Sequence, residues 1–400
     1  MPEVILSFEQ ARRAVEREAL TARPSRTETV PLSLGNERIL AEAITADRDL
    51  PPFPRSTRDG YAVRSADRGS LKVVAEIRAG ITGELPTIKE GECAAIMTGA
   101  PVPPGADAVI MIEHTSLAGS TVNLQREVKP GENIVLQGAE AKRGDVLLQK
   151  GTRLTPAALA VAASAGKSEL KVFARPKIAI LSTGDELVEV AQQPAPTQIR
   201  NSNSYSLAAQ ITEAGGDPVI LPIAPDETNR LRELIEEGLR SDLLLLSGGV
   251  SMGKHDLVEP VLKELKADFF FTGAKIQPGK PVVFGRAREK YVFALPGNPV
   301  STLVTFQLFA KPLVEALAGA APQPLRFLQA RLRSDISVKP GLTRFLPAII
   351  SGEFDRTEVE LVKWQGSGDV VSAAKADCYI VIPETSSGFP KSSNVNVLLM

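Results

Sequence analysis

Residues 242–256 read DLLLLSGGVSMGKHD, a run of leucines followed by a glycine-rich turn. The four leucines at 243–246 predict a short strand that is buried on both faces, as in a parallel sheet. Ser247-Gly248-Gly249 ends that strand, and apolar residues follow at helical spacing from Leu257 to Leu265. A strand, a glycine turn and a helix place free backbone N–H groups and a positive helix end at the carboxyl edge of a sheet. The pattern is typical of a phosphate or oxyanion site, although ordinary α/β connections also use such turns.

Strands and helices alternate on both sides of this stretch, from Lys177 to about residue 320. KIAILSTGDEL (177–187) reads as a strand and a turn, PVILPI (218–223) as a strand, and residues 204–214 and 227–240 as helices. DFFFTGAKI, PVVFGRA and YVFALPG read as further strands, and a long apolar helix at 300–317 contains Pro312, which we expect to kink or break it. The alternation predicts a doubly wound, mainly parallel sheet with ligands at its carboxyl edge.

Outside residues 177–320, the chain is predicted to form mostly short strands and a few helices. Ser7 and Gln10 form a capping-box pattern before a helix that ends near Leu20. Short strands separated by Gly and Pro turns fill residues 55–138 and 325–400, and an alanine-rich helix is expected at 155–165. The expected fold class is therefore α/β plus β, with these parts: an N-terminal helix packing with the core (1–26), a small mixed connecting domain (27–50 and 139–176), an extended β lobe (51–138), the α/β domain (177–320) and a C-terminal β domain (325–400).

Composition excludes several classes of function. The 400 residues carry 46 basic and 47 acidic side chains, so no global field recruits nucleic acid or an anionic membrane. Cys93 and Cys378 fit no metal or disulfide spacing, which favours a reducing compartment. The start lacks a signal-peptide pattern, and no run reaches the ~20 apolar residues that a membrane span needs. We expect a cytoplasmic protein without a nucleic-acid or membrane partner.

Polar and glycine-rich turns follow several strands of the α/β domain. STGDEL holds Thr183, Asp185 and Glu186, APDE holds Asp226, and QPGKP and LPGNPVS come later in the chain. If these turns share one rim, carboxylates lie beside phosphate-binding amides, which implies a divalent cation such as Mg2+. The alternatives are structural: Asp185 and Asp226 could cap helices, Asp256 could cap the helix it precedes, and Lys280 could be a solvated turn residue. His114 and His255 cannot build a convincing catalytic triad.

Six motifs together carry a family resemblance: RSTRDGYAVR (55–64), IMTGAPVPPGADAVI (96–110), STGDEL (182–187), SGGVSMGKHD (247–256), PGKP (278–281) and LPGNPVS (295–301). In this order and spacing they resemble the molybdopterin molybdenumtransferases (MoeA and the gephyrin E domain), over about residues 5–400. The resemblance implies an elongated homodimer of four-part subunits, whose molybdopterin-binding α/β domain is shared with the molybdopterin adenylyltransferases. It also implies that adenylylated molybdopterin and molybdate react with Mg2+ to release AMP and molybdenum cofactor.

The resemblance also implies roles for individual residues. Glu186, Asp226 and Asp256 would be catalytic and hold the metal, and Asp59 and Thr98 would reach the site of the other subunit from the β lobe. The remaining assignments are molybdopterin or nucleotide binding by Thr183, Gly184, Asp185, Ser247, Gly248, Gly249 and Ser251, and molybdate binding by Lys275, Lys280, Ser301, Arg344 and Ser372.

Two positions depart from the family pattern, and two other functions stay open. Gln277 stands where the family commonly has Lys or Arg, and Lys275, two residues earlier on the same strand face, could restore that charge. The family's GED motif reads Gly138-Ala139-Glu140 here, so the expected Asp is either replaced by Glu140 or lost. The alternatives are a molybdopterin adenylyltransferase and a noncatalytic scaffold of the same fold. The preference for molybdate or tungstate also stays open. So does the question whether other proteins of molybdenum cofactor biosynthesis are partners.

Overall fold

The computed structural model describes residues 4–250, 257–321 and 323–400. The chain divides into two compact units. The large unit comprises Met1–Val30, Glu37–Ala41 and Lys171–Met400, and the small unit comprises Pro31–Asn36 and Glu42–Leu170. The strands Thr27–Pro31 and Glu169–Phe173 lie where the chain passes from one unit to the other.

The N-terminal helix α1 (Phe8–Thr21) belongs to the large unit, and its start confirms the capping-box prediction. The Ser7 hydroxyl accepts from the Gln10 amide, and the Gln10 side chain accepts from the Ser7 N–H. Ala11, Ala14, Val15 and Ala19 line one helix face and join the main core of the large unit. Just before the helix, Ile5–Leu6 pairs in parallel with Gly273–Ala274.

The small unit is built around a six-stranded sheet. Its spatial order is Ala108–Met111, Gly60–Val63, Glu92–Ile96, Ser70–Ile77, Thr121–Leu124 and Thr115–Ala118. Only the pairing of 70–77 with 92–96 is parallel among the pairings of this sheet. Successive residues Tyr61 and Ala62 enter separate cores, so both sheet faces are covered.

Shorter elements complete the small unit. Helix α2 (Pro156–Ser164) confirms the expected helix, with Thr155 as its N-cap and Pro156 in its first turn. ILAEAITA (39–46) has a strand-like pattern, but only Ile44–Thr45 forms a strand there, and it pairs with Val146–Leu148. Arg55–Ser56 pairs with Ile134–Val135, and single 3-10 turns occupy Leu32–Leu34 and Ile112–His114.

The large unit contains the predicted α/β sheet. Its spatial order is Asp217–Ile220, Lys177–Ser182, Leu243–Ser247, Lys290–Leu295, Val283–Ala287 and Asp268–Phe271. The first four strands are parallel, and the last two pairings are antiparallel. The predicted strand DFFFTGAKI is broken into Asp268–Phe271, Gly273–Ala274 and Ile276–Gln277.

The four leucines at 243–246 explain why this sheet has helices on both faces. Leu243 and Leu245 join the core that contains α1, whereas Leu244 and Leu246 join a second core. The helices of the domain are α3 (Asn203–Glu213), α4 (Thr228–Gly238), α5 (Val258–Glu264) and α6 (Pro299–Leu317). Because side chains of a strand alternate between faces, a run of apolar residues needs a cover on each side.

Helix α6 is continuous through Pro312 because the helix widens before it. Residues Phe306–Ala310 form a π-helical segment between Pro299–Thr305 and Lys311–Leu317. Pro312 has no N–H to donate to the preceding turn, and in that turn the Leu308 carbonyl accepts from Nη1 of Arg12 of α1 at 2.5 Å. By length and composition α6 could cross a membrane, but 72% of its most apolar window is buried inside the protein, as in a core helix.

The C-terminal part of the large unit forms a closed barrel. Thr343–Ser351, Glu358–Leu361, Phe327–Leu332, Asn394–Leu399 and Cys378–Ile382 follow one another, and 378–382 also pairs with 343–351. Ile276–Gln277 of the α/β domain adds to 343–351 in parallel, and Ile336–Ser337 pairs with Gly388–Phe389. A short helix, α7 (Val370–Ala373), completes this part.

Candidate active site

A cleft of about 620 Å³ opens at the carboxyl edge of the α/β sheet. It is lined by the ends of the parallel strands at Thr183, Ser247 and Pro296, and by Asp226 after the edge strand. Pro281 also lines it, because the strand that follows is antiparallel and therefore begins at this edge. The predicted convergence of separate turns at one rim is thus seen for these loops.

Two of the predicted carboxylates, Glu186 and Asp226, line the cleft. The Thr183 hydroxyl donates to Asp226 Oδ1 at 3.3 Å, and the backbone N–H of Asp226 donates to Asp185 Oδ1 at 3.0 Å. Gly184 has a φ of +144°, and a Cβ there would collide with the Glu186 carboxylate. Asp185 and Asp226 therefore bind neighbouring turns to each other instead of capping helices.

The Ser-Gly-Gly turn follows the central strand as expected. Gly248 and Gly249 have φ values of +96° and +65°. A Cβ on Gly248 would lie 2.6 Å from the Thr183 carbonyl oxygen, and one on Gly249 would lie 2.6 Å from Val258 Cγ2. Only glycine fits this turn, which brings its backbone and Ser247 to the cleft wall.

The first turn of α3 forms another wall of the cleft, which our sequence analysis missed. Asn201, Ser202 and Asn203 line it. Asn201 Oδ1 accepts from the Ser204 N–H, and the Ser182, Asn201 and Ser204 side chains form a buried hydrogen-bonded network. The polar run RNSNS (200–204) just before a predicted helix was the available signal, since the amino ends of crossover helices lie at this edge.

Among the described residues that line the cleft, Arg200 is the positively charged one. Its Nε donates to the carbonyl oxygens of Val190 and Gln192, at 3.0 and 3.2 Å. These contacts hold the guanidinium against the 190–193 loop.

The residues predicted to bind molybdate do not line the cleft but lie partly together beside it. Strand 276–277 places Gln277 opposite Arg344, and Arg344 Nε donates to Gln277 Oε1 at 2.8 Å. Arg344 is 8% exposed. Gln277 therefore orients the arginine through a hydrogen bond where a basic residue would add charge.

Lys275 is exposed and pairs with Glu384, with 3.1 Å between Nζ and Oε1. Whether Lys275 restores the charge missing at Gln277 stays a prediction, and Glu384 is the carboxylate with which an oxyanion would share this lysine. Lys280 is also exposed, and its carbonyl accepts from the Ala274 N–H at 3.0 Å.

Ser301 and Ser372 differ in their setting. Ser301 is 4% exposed and lies under the QPGKP loop, since a Cβ on Gly279 would lie 3.7 Å from the Ser301 carbonyl oxygen. The Ser372 hydroxyl donates to Asp369 at 2.7 Å, which, with backbone hydrogen bonds, lowers the pKa of that carboxyl. The hydroxyl proton of Ser372 is thus used in the hydrogen bond to Asp369, the N-cap residue of α7. The loop before α7 reaches the cleft at Gly368, and Asn298 donates to Ser367 beside it at 2.9 Å.

In the small unit, Asp59 and Thr98 lie together at the surface. The Thr98 N–H and hydroxyl donate to Asp59 Oδ1 at 2.6 and 2.8 Å and lower the pKa of the carboxyl. Gly60 is required next to Asp59, because a Cβ there would collide with the Ile110 carbonyl. Glu140, the other departure, forms an ion pair with Arg55 at 2.8 Å.

The remaining expectations concern thiols and a metal. Burial raises the pKa of Cys93 to about 12 and also raises the pKa of Cys378, so neither is suited to supply a thiolate at neutral pH. Ser251 and Asp256 lie outside the described residues, so the predicted triplet of Glu186, Asp226 and Asp256 is described only for its first two members. Among residues 4–250, 257–321 and 323–400, no group of three or more His, Cys, Asp or Glu could hold a metal ion.

Family models match three consecutive parts of this chain. Residues 6–166 match the MoeA N-terminal region (domain I and II), and residues 329–400 match the MoeA C-terminal region (domain IV). Residues 179–316, which form the α/β sheet and the cleft rim, match the model described as a probable molybdopterin binding domain.

Whole-length relatives and solved structures agree with these matches. A molybdopterin molybdenumtransferase from Bacillus subtilis (strain 168) is 34% identical over 401 residues, which cover 97% of this chain and 93% of the relative. One from Staphylococcus epidermidis is 35% identical over 376 residues, covering 92% and 89%. Two crystal structures of a molybdopterin biosynthesis MoeA protein from Pyrococcus horikoshii have TM-scores of 0.82 and 0.75, at 29% and 33% identity, and cover 99% of this chain and at least 99% of theirs.

Proposed function

Because this chain belongs to the family of molybdopterin molybdenumtransferases, we propose that it inserts molybdenum into molybdopterin in the biosynthesis of the molybdenum cofactor. The observation that carries the proposal is the cleft at the carboxyl edge of the α/β sheet, in the part matched by the molybdopterin-binding model. The cleft is lined by a glycine turn that is suited to bind a phosphate, and by two carboxylates. The substrates are molybdate and adenylylated molybdopterin, and the products are AMP and the cofactor.

The phosphate-bearing substrate is assigned to the cleft floor. The Gly248 N–H donates to the Leu295 carbonyl at 3.1 Å, which holds the turn, and Gly249 has no side chain to obstruct its own N–H at the end of a parallel strand. Thr183, Gly184 and Ser247 line the same cleft. Asp185 accepts a hydrogen bond from the Asp226 N–H and so connects two of the turns that form the cleft. A pyrophosphate ester bound at this turn would share the cleft with both carboxylates.

The donor set of the cleft fits a divalent cation. Glu186 and Asp226 present carboxylate oxygens, which Mg2+ prefers, and neither forms an ion pair with any described residue. Both would hold the metal, with Asp256 as the third candidate. When bound, the metal would neutralise phosphate charge and polarise the bond to be cleaved. The Thr183 hydroxyl, by donating to Asp226, keeps that carboxylate turned toward the rim.

Molybdate is assigned to the neighbouring polar group of Lys275, Lys280, Ser301 and Arg344. Arg344 is held by Gln277 and is nearly buried, which strengthens its attraction for an oxyanion. Ser372 is the weakest member, because its hydroxyl already donates to Asp369.

The two alternative functions have less support. An adenylyltransferase needs only the α/β domain, whereas this chain also matches the MoeA N-terminal and C-terminal regions. A pure scaffold has no use for the paired carboxylates of the cleft. A homodimer in which Asp59 and Thr98 complete the site of the partner subunit is part of the proposal.

One assay tests the proposed function. Purified protein is incubated with adenylylated molybdopterin, Mg2+ and either molybdate or tungstate, and AMP and active cofactor are measured. We expect AMP release that depends on the oxyanion, and an Asp226→Asn variant that releases AMP at least about tenfold more slowly, with a higher Mg2+ requirement.

The matched control is Asp217→Asn, an exposed aspartate at the amino end of the edge strand, far along the sheet from the cleft rim. It should behave as the wild type. AMP release that ignores both oxyanions, or formation of adenylylated molybdopterin from ATP, would reject molybdenum insertion in favour of the alternatives.

A further inference from the structure

Asn203, in the first turn of α3, spans the ends of two strands at the cleft. Its Nδ2 lies 2.7 Å from the Gly297 carbonyl oxygen and 2.9 Å from Ser247 Oγ. A carbonyl oxygen can only accept a hydrogen bond, so the nitrogen of the amide must face Gly297. The orientation of the Asn203 amide is therefore determined by its neighbours.

The same orientation determines the role of the Ser247 hydroxyl. An amide NH2 group has no lone pair to offer, so Ser247 Oγ accepts from Asn203 and its own single proton is available for another partner. Ser247 lines the cleft together with Gly248 and Gly249, whose backbone is suited to an anion. The serine is thus held as a hydrogen-bond donor.

We propose that Asn203 is a positioning residue that fixes the Ser247 hydroxyl as a donor to an anionic oxygen of the ligand in the cleft. The proposal rests on the function proposed above, in which that oxygen belongs to the phosphate of the nucleotide part of the substrate. A donor oriented before binding costs no reorganisation when the ligand arrives.

A purely structural role explains Asn203 less well. Asn203 is not needed to satisfy the neighbouring first-turn N–H of Ser204, which already donates to Asn201 Oδ1 at 3.2 Å. Asn203 Oδ1 is buried, and no described residue donates to it. An unsatisfied buried acceptor destabilises a protein, so the side chain is held there for its Nδ2 contacts.

The test is a double-mutant cycle on nucleotide affinity. AMP and adenosine are titrated calorimetrically into the full-length wild type, Asn203→Leu, Ser247→Ala and the double variant. We expect each single change to weaken AMP binding at least about tenfold, the loss of one charge-assisted hydrogen bond, and the double variant to bind about as weakly as Ser247→Ala. Adenosine, which lacks the phosphate, should change less than about twofold throughout.

Asn298→Leu is the matched control, since that amide lies on the same rim but donates to Ser367. Its effect should add to that of Ser247→Ala. Additive losses for Asn203→Leu and Ser247→Ala, or an equal loss for adenosine and AMP, would overturn the role of Asn203 while leaving the proposed function intact. If Asn203→Leu does not fold, Asn203→Ala replaces it under the same criteria. A wild type that neither binds nor releases AMP would instead reject the proposed function, and this role with it.

Discussion

Asp59 is held by a single neighbour, and this makes its ionisation testable. The Thr98 N–H lowers the pKa of the carboxyl most, and the Thr98 hydroxyl lowers it further. Both groups are hydrogen-bond donors, and a donor interacts more strongly with the charged carboxylate than with the neutral acid, so they stabilise the carboxylate over the acid.

Thr98→Val should raise the pKa of Asp59 toward its ordinary value of 3.8 without reaching it, because the backbone N–H at position 98 remains. A carbon-13 NMR titration of the side-chain carboxyl measures the shift. Asp369, whose pKa is lowered mainly by Ser372, is the internal control and should titrate as before. An unchanged Asp59 would mean that the hydroxyl contributes nothing.

The sign of the linked stability follows from the lowered pKa. The native carboxylate contributes to the free energy of unfolding at pH values above 3.8, and the contribution is lost as the pH falls through the lower, native pKa. Near neutral pH, Asp59 is ionised in both proteins, so Thr98→Val acts there only through the lost hydrogen bond.

At the scale of elements, Arg12 explains how α6 contains a proline. Pro312 removes one N–H donor from this part of the helix, and Arg12 supplies a donor to the Leu308 carbonyl in the turn before it. Its Nε also pairs with Glu16 at 2.8 Å. One side chain thereby joins α1 to α6, whose first turn lies beside the cleft.

Arg12→Met should therefore lower the free energy of unfolding by about 2 kcal/mol. The variant loses a hydrogen bond from a charged donor and leaves a buried carbonyl without that donor. Urea unfolding measures it. Arg13→Met, on the exposed face of the same helix, should stay within about 0.5 kcal/mol of the wild type. In a Pro312→Ala background the cost of Arg12→Met should fall, because residue 312 regains an N–H; an equal cost in both backgrounds would reject the link to Pro312.

The same elements show what the sequence can predict. Periodicity identified the four-leucine strand, α1, α2 and the convergence of turns at one sheet edge, since these depend on local pattern and on the rules of parallel sheets. It did not predict that Glu384 pairs with Lys275, that Arg12 reaches Leu308, or that Asn203 spans two strand ends. Each of these contacts joins residues roughly 45 to 300 positions apart, and a pattern of neighbours along the chain does not encode such pairings.

At the scale of the whole molecule, the predicted site residues fall into two groups. Glu186, Asp226 and the glycine turn belong to the large unit, whereas Asp59 and Thr98 belong to the small unit. Under the proposed function the site is completed by the small unit of a partner subunit. Function would then require a dimer, since each site would take Glu186 and Asp226 from one subunit and Asp59 and Thr98 from the other.

Subunit mixing tests this directly. Asp59→Asn and Asp226→Asn should each be inactive alone, because each homodimer lacks one half of both sites. After random exchange, half of the dimers are mixed, and each carries one intact site, so AMP release should return to about a quarter of the wild-type rate. Asp226→Asn mixed with Glu186→Gln is the control and should stay inactive, since both changes fall in the same half of the site. No recovery in the first mixture would place both groups within one subunit, and an active Asp59→Asn homodimer would remove Asp59 from the reaction. Recovery in the control would show that Glu186 and Asp226 do not act in the same half of the site.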